Sequence, residues 1–163
     1  MPNKAVFIDR DGTMIHDYGY IKDPGKVEIL DGVKTAIELL RANDFMVFIV
    51  TNQSGVARGM MTVDDVDKVN KKMLSLLGKD LIDDILICYH GPDENCSCRK
   101  PGTALVEKAA KEHGVDLSRS YSVGDKDSDK ELGVKMGGNG IKLGEKGIKT
   151  LLDAAKTIVK ENK

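Results

Sequence analysis

A chain of 163 residues suits one compact domain, long enough to bury roughly 70% of the surface its unfolded form exposes, and a second folded domain is not expected. Its 25 basic and 26 acidic residues leave a formal net charge of −1, which excludes the basic excess that nucleic acid or an anionic membrane selects and points to a small partner. The opening MPNKAVFID is too short in its apolar part for a signal peptide, and no apolar run approaches the ~20 residues of a membrane span, so a cytoplasmic, monomeric protein is expected.

In chain order, short apolar runs alternate with segments of helical period. The runs are Lys4 to Ile8, Phe45 to Val50, Asp84 to Cys88, Tyr121 to Gly124 and Gly140 to Leu143. Their length is that of strands, and their continuous apolarity predicts parallel strands buried on both faces. After Asp31, a predicted N-cap, Val33, Ala36, Ile37 and Leu40 recur at helical spacing. Thr62 with Asp65 reads as a capping box opening a second helix that turns Val66, Val69, Met73 and Leu77 inward. A third helix starts near Thr103 and ends at Gly114, a fourth covers Ser128 to Met136, and a fifth runs from about Glu145 to the lysine-rich end. Strands alternating with helices predict an α/β, doubly wound, Rossmann-like parallel sheet of about five strands in the order 3-2-1-4-5, without a cap domain.

The predicted strand ends carry the chemistry. The first ends in Asp9-Arg10-Asp11-Gly12-Thr13 and the fourth in Val123-Gly124-Asp125-Lys126. In this strand order the two are neighbours where the winding reverses, which is where ligands bind. Asp9, Asp11 and Asp125 would then converge, and carboxylates that crowd together need a divalent cation, for which hard oxygen ligands favour Mg²⁺. The second strand ends in Thr51-Asn52-Gln53-Ser54-Gly55, hydroxyls and turn amides suited to phosphate oxygens. Arg99 and Lys100 follow the third strand and supply cations.

Between that strand and those cations lies CYHGPDENCSC, which holds all three cysteines. An odd number of thiols argues against a disulfide framework. Cys88, His90, Cys96 and Cys98 are instead the ligand set of a closed tetrahedral Zn²⁺ site, and Gly91 and Pro92 suit the turn between the two pairs. Such a zinc would be structural, because four protein ligands leave no position for water. Cys98 abuts Arg99 and Lys100, so tethering it would fix where the two cations point. The bland alternative is three reduced thiols in a loop, or a redox-active pair.

Taken together, DRDGT, TNQSG, RKP and GDKDSD appear in the order of the four motifs of the haloacid dehalogenase superfamily of phosphohydrolases, which the chain resembles over essentially its whole length, 1–163. The resemblance implies that Asp9 is the nucleophile that forms an aspartyl phosphate and that Asp11 is the general acid and base. It further implies a magnesium ion on Asp9, the main-chain carbonyl of Asp11 and Asp125, with Asp129 supporting that shell from outside. Thr51 and Lys100 would stabilise the phosphoryl oxygens. A zinc loop directly before RKP is similar to the branch holding heptose bisphosphate phosphatases and histidinol-phosphate phosphatases.

Within that branch two signals diverge. Asp17-Tyr18-Gly19-Tyr20-Ile21 and TNQSGVARG, through Arg58, resemble the heptose enzymes, whereas the compact zinc loop is similar to the histidinol-phosphate enzymes. Arg58 and Arg99 suit a substrate with a second phosphate, while the ammonium of an amino-alcohol phosphate would prefer acidic contacts. Asp17, Tyr20, Asn52, Gln53, Ser54, Arg58, Arg99 and Lys126 are the candidate substrate contacts. Two readings of other classes stand beside the phosphosugar phosphatase: a phosphoacceptor signalling module, whose acids are differently spaced, and an inactive binding scaffold.

Overall fold

The computed structural model describes residues 2–78 and 80–163. Its strands are β1 (Lys4–Ile8), β2 (Phe45–Asn52), β3 (Asp84–Cys88), β4 (Tyr121–Gly124) and β5 (Asn139–Lys142), all parallel and ordered β3-β2-β1-β4-β5. The helices are α1 (Val33–Ala42), α2 (Val63–Leu77), α3 (Ala104–His113), α4 (Asp127–Lys135) and α5 (Leu151–Glu161). No described helix is long and apolar enough to cross a membrane.

The period of two along each strand divides the core. Val6, Ile8, Val47, Ile49 and Val123 face α1, α2 and α5 on one side, while Ala5, Phe7, Phe48 and Val50 face α3 and α4 on the other. Chain order therefore runs outward from β1 to β3 over one face, then crosses back to β4 and covers the second. The reversal falls between β1 and β4, which pair directly, Ile8 opposite Val123. β3 and β5 are only half-buried, contrary to burial on both faces, because each is an edge strand with one neighbour.

Two helix starts differ from expectation. Asp31 is not the cap of α1. Gly32 occupies that position with φ 80°, a left-handed conformation open to glycine, after a turn in which Val33 N–H donates to the Leu30 carbonyl. The last helix begins at Leu151, six residues after Glu145. Residues Glu145 to Ile148 form a reverse turn with Lys146 and Gly147 at φ 53° and 77°, and Thr150 then caps α5 in a capping box with Asp153. Ile148 packs on the core from that turn, so its apolar spacing imitates helical periodicity without a helix. The capping box of α2, Thr62 with Asp65, forms as the sequence predicts.

Candidate active site and metal-binding loop

The ladder between β1 and β4 extends to Asp9, whose N–H donates to the Val123 carbonyl at 2.9 Å. Past it the chain folds back, with the N–H groups of Met14 and Ile15 on the Arg10 carbonyl, and Gly12 takes φ 84°. A Cβ at Gly12 would collide with the Asp125 carboxylate, and one at Gly124 would collide with Asp129. Two glycines thus allow three acids to close on one point. Oxygens of Asp9, Asp125 and Asp129 all lie within 4.8 Å of one another.

Lys100 is the cation nearest this cluster. Its ammonium donates to Asp9 Oδ1 at 2.8 Å, Asp129 Oδ1 at 2.7 Å and the Val50 carbonyl at 2.9 Å, which uses all three protons. Burial lowers the Lys100 pKa, but the attraction of Asp9 and Asp129 outweighs it and the net shift is upward. One ammonium leaves the site short of positive charge. Burial pushes the Asp9 carboxyl up to about 7, Lys100 pulling it down and Asp129 pushing it further up. Asp9 Oδ2 and Asp125 Oδ1 are buried with no hydrogen-bond partner. Orphaned carboxylate oxygens facing one another fit a hard divalent cation.

The end of β2 is stitched into this site rather than left as a free turn. Gln53 N–H donates to the Cys88 carbonyl at 2.7 Å, and Asn52 Oδ1 accepts from Lys100 N–H at 3.0 Å. The Gln53 amide donates to both Thr51 Oγ1 (2.7 Å) and Asp11 Oδ2 (3.0 Å). Asn52 and Gln53, expected as phosphate contacts, therefore spend those side-chain groups on positioning Lys100 and Asp11. The Asp11 carboxylate turns away from the three clustered acids, toward Gln53 and the Arg10 guanidinium.

A cavity of about 470 Å³ opens over these groups. Asp11, Asp17 and Tyr20 line it from the segment after β1, and Asn52, Gln53, Ser54 and Arg58 from the end of β2. Arg99 and Lys100 line it from the segment before α3, and Lys126 at the start of α4. The Arg58 guanidinium lies 5.9 Å from the centre of the Tyr20 ring, and the Asp17 carboxylate shapes its loop by accepting from Gly19 N–H. Arg99 Nη1 is buried without a partner, an unspent donor beside the cavity. A groove of about 440 Å³ along β5 is comparable in size but gathers no acid cluster, and its Lys130 and Lys142 are paired with Glu145 and Asp127.

Cys88, His90, Cys96 and Cys98 also meet within 4.8 Å. Cys88 Sγ is 3.7 Å from Cys96 Sγ and 3.6 Å from His90 Nδ1, against the edge of about 3.7 Å that a tetrahedron with Zn–S near 2.3 Å requires. Cys98 Sγ sits nearer, 2.7 Å from Cys88 Sγ and 3.1 Å from His90 Nδ1. Of the four only His90 is exposed; Cys96 and Cys98 are half-buried, and Cys88 closes β3 and is fully buried. Burial, then the Cys98 thiol, pushes the Cys88 pKa up to about 12. Burial raises that of Cys96 too, but the Arg99 N–H and the neighbouring thiols bring it down to about 7. Three thiols packed this tightly ionise together only with a cation among them, which the S₃N donor set fits.

Asp129, expected to support the metal shell from outside, adjoins Asp9 and Asp125 with Oδ1 on Lys100 and Oδ2 on the Lys126 N–H. Sequence reading missed two participants. Arg10 is fully buried against Asp11, and Asn70 of α2 reaches Arg10. The available signal was Asn70, a polar residue in helical register with Val66, Val69 and Met73 on an otherwise apolar face.

Comparison with known proteins agrees with this geometry. The family described as polynucleotide kinase 3 phosphatase matches residues 4–143. A D-glycero-beta-D-manno-heptose-1,7-bisphosphate 7-phosphatase of Helicobacter pylori is 38% identical over 135 residues, 81% of this chain and 78% of that protein. The enzyme of the same name from Haemophilus influenzae is 39% identical over 140 residues, 81% of this chain and 76% of that one. The crystal structure of D,D-heptose 1,7-bisphosphate phosphatase from B. bronchiseptica, complexed with magnesium and phosphate, superposes with a TM-score of 0.85 at 29% identity, covering 97% of this chain and 99% of that one. The fold, the motif order and these matches together place the chain in the polynucleotide kinase 3 phosphatase family, among phosphatases of the haloacid dehalogenase superfamily.

Proposed function

We propose that this protein is a magnesium-dependent phosphatase of small phosphorylated sugars, with a D-glycero-D-manno-heptose 1,7-bisphosphate as substrate and its 7-phosphate as the group removed. The observation that carries this reading is one cavity lined by Asp11, Lys100, Arg58 and Arg99, whose Lys100 ammonium also holds Asp9 and Asp129 of the acid cluster, so that one phosphate can react while a second is held. The relatives' names fit that arrangement.

In the first step a carboxylate oxygen of Asp9 attacks phosphorus as the bond to the sugar oxygen breaks, and Asp11 gives the sugar oxygen its proton. In the second step Asp11 takes a proton from the water that attacks the aspartyl phosphate, releasing inorganic phosphate and restoring Asp9. Thr51 and Lys100 face the developing charge on the phosphoryl oxygens. Magnesium, held by Asp9, Asp125 and the Asp11 carbonyl with Asp129 alongside, supplies charge neutralisation and orientation of the phosphate. Zinc on Cys88, His90, Cys96 and Cys98 keeps the RKP segment in place.

Magnesium affinity follows from the Asp9 carboxyl, whose proton competes with the ion. Because that group is pushed up to about 7, affinity rises with pH up to that point and levels off above it, losing as much as about tenfold per unit below. Calorimetric titration of the protein with Mg²⁺ across that range checks this, and an affinity unchanged between about pH 5.5 and 8 would show Asp9 ionised throughout.

Substrate choice is tested by phosphate release with Mg²⁺, comparing both anomers of heptose 1,7-bisphosphate with histidinol phosphate. The expected preference for the bisphosphate is at least about a hundredfold in kcat/KM, or ~2.7 kcal/mol in transition-state binding. The reverse preference would move the protein to the amino-alcohol branch that its compact zinc loop also resembles. Equal, feeble rates on all three would put its substrate elsewhere.

A further inference from the structure

Asn70 is a costly residue for a helix that only packs. It is 5% exposed on the inward face of α2, and its Oδ1 accepts from Arg10 Nη1 at 2.9 Å. Arg10 is fully buried, and its Nε and Nη2 lie 3.1–3.3 Å from both oxygens of Asp11. Gln53 holds the same carboxylate from the other side. The Asp11 carboxylate, 17% exposed at the cavity, is therefore gripped at two points, and the far end of one grip is anchored on a helix.

A long guanidinium side chain has many rotamers, and its planar fork orients a carboxylate only when the fork itself is held. Asp11 is adjacent to Arg10 in the chain and cannot do this alone, because the two would turn together. Asn70 supplies the fixed point and satisfies a buried donor that would otherwise be unpaired.

We propose that Asn70 is a positioning residue for the acid and base Asp11, acting through Arg10, so that the direction of proton transfer is set from α2. The inference rests on the role of Asp11 given above. Proton transfer falls off steeply with misplacement of the donor, and a small rotation of the Arg10 fork carries the Asp11 carboxylate with it. Phosphate binding, by contrast, involves neither Asn70 nor the buried face of Arg10.

The test compares kcat/KM, which reports steps through phosphoryl transfer to Asp9, for two esters. An alkyl phosphate needs its leaving oxygen protonated, whereas p-nitrophenyl phosphate expels a stable phenolate. Asn70→Leu is expected to lose about tenfold to a hundredfold with the alkyl ester and under about threefold with the aryl ester, and aspartyl phosphate should accumulate during aryl turnover. Asn70→Asp, which keeps the acceptor oxygen, is expected to restore the alkyl ester to within about threefold.

Equal losses on both esters, or no rescue by Asn70→Asp, would overturn the proposal, since a merely structural defect cannot tell leaving groups apart. If Asn70→Leu is recovered unfolded, Asn70→Gln, which carries the acceptor one methylene too far, replaces it in the same comparison. Asp11→Asn separates the two levels. Where it shows the contrast between esters and the Asn70 variants do not, this inference alone falls; where it shows none, the acid and base reading falls and takes the inference with it.

Discussion

Asp9→Asn is expected to abolish phosphate release, by at least about ten-thousandfold, while the protein stays folded. The amide is no nucleophile at phosphorus, and its oxygen cannot carry the charge that a divalent cation balances. The fold should survive because the carboxylate is a burden on it. Asp9 is almost fully enclosed, and its pKa in the folded chain, about 7, lies above the ordinary 3.8. Between these two values the folded chain holds more protons than the unfolded one, so the Asp9 contribution to stability falls as pH rises through that window and stays unfavourable above it. Asparagine removes this penalty and keeps an oxygen for Lys100 to donate to. At pH near 8 without magnesium, the melting temperature of the variant should therefore be no lower than that of the parent, and lower if Asp9 were a net stabiliser. Phosphate release and thermal unfolding followed by circular dichroism check both halves. An Asp9→Asn protein that still turns over at more than about a hundredth of the parent rate would remove Asp9 from the chemistry.

The strand register was legible because its signal is local. Lys4 to Ile8, Asp84 to Cys88 and Tyr121 to Gly124 are apolar runs cut off by turn residues, and all three appear at the expected bounds. The adjacency of β1 and β4 followed from connectivity, and with it the approach of Asp9 to Asp125. What escaped depends on where a side chain ends rather than where it starts. Asn52 and Gln53 lie at the predicted strand end, but only the fold shows their polar groups turned onto Lys100 and Asp11. Arg10 carries no assignment from the sequence, and only the packing of α2 over it shows it buried with Asn70 on its guanidinium. That Asp129 closes on Asp9 and Lys100 also needs the fold, since its distance along the helix from Asp125 says nothing of the space that Gly124 leaves open for it. The late start of α5 has a different origin, since the spacing of Ile148, Leu151 and Leu152 is the same whether Ile148 sits on a helix or on the turn before one.

Removing the metal from the thiol loop, by a strong chelator that is then dialysed away with Mg²⁺ restored, or by Cys98→Ser, is expected to cost a hundred- to thousandfold in kcat, about the effect of losing a group that stabilises transition-state charge. The loss is indirect. Lys100 stands two residues after Cys98, and its ammonium reaches Asp9 and Asp129 only while its own N–H is held on Asn52. Between Cys88, which the sheet fixes, and Lys100 run eleven residues that are mostly polar. Ordering such a stretch costs on the order of 10 kcal/mol or more in backbone entropy. Its few direct hydrogen bonds, such as Gly91 N–H to Glu94, contribute about 1 kcal/mol each, too little to offset that cost. A structural zinc contributes about 10–16 kcal/mol, which is of the size required. The stripped protein should therefore keep its sheet, since β3 is anchored through β2, but open to protease between residues 89 and 99 and lose the Lys100 contacts. Metal analysis should find about one zinc per chain before treatment, and limited proteolysis with kinetics should follow its removal. A zinc-free protein that resists cleavage in that segment and turns over at the original rate would show that the loop holds Lys100 in place without a metal.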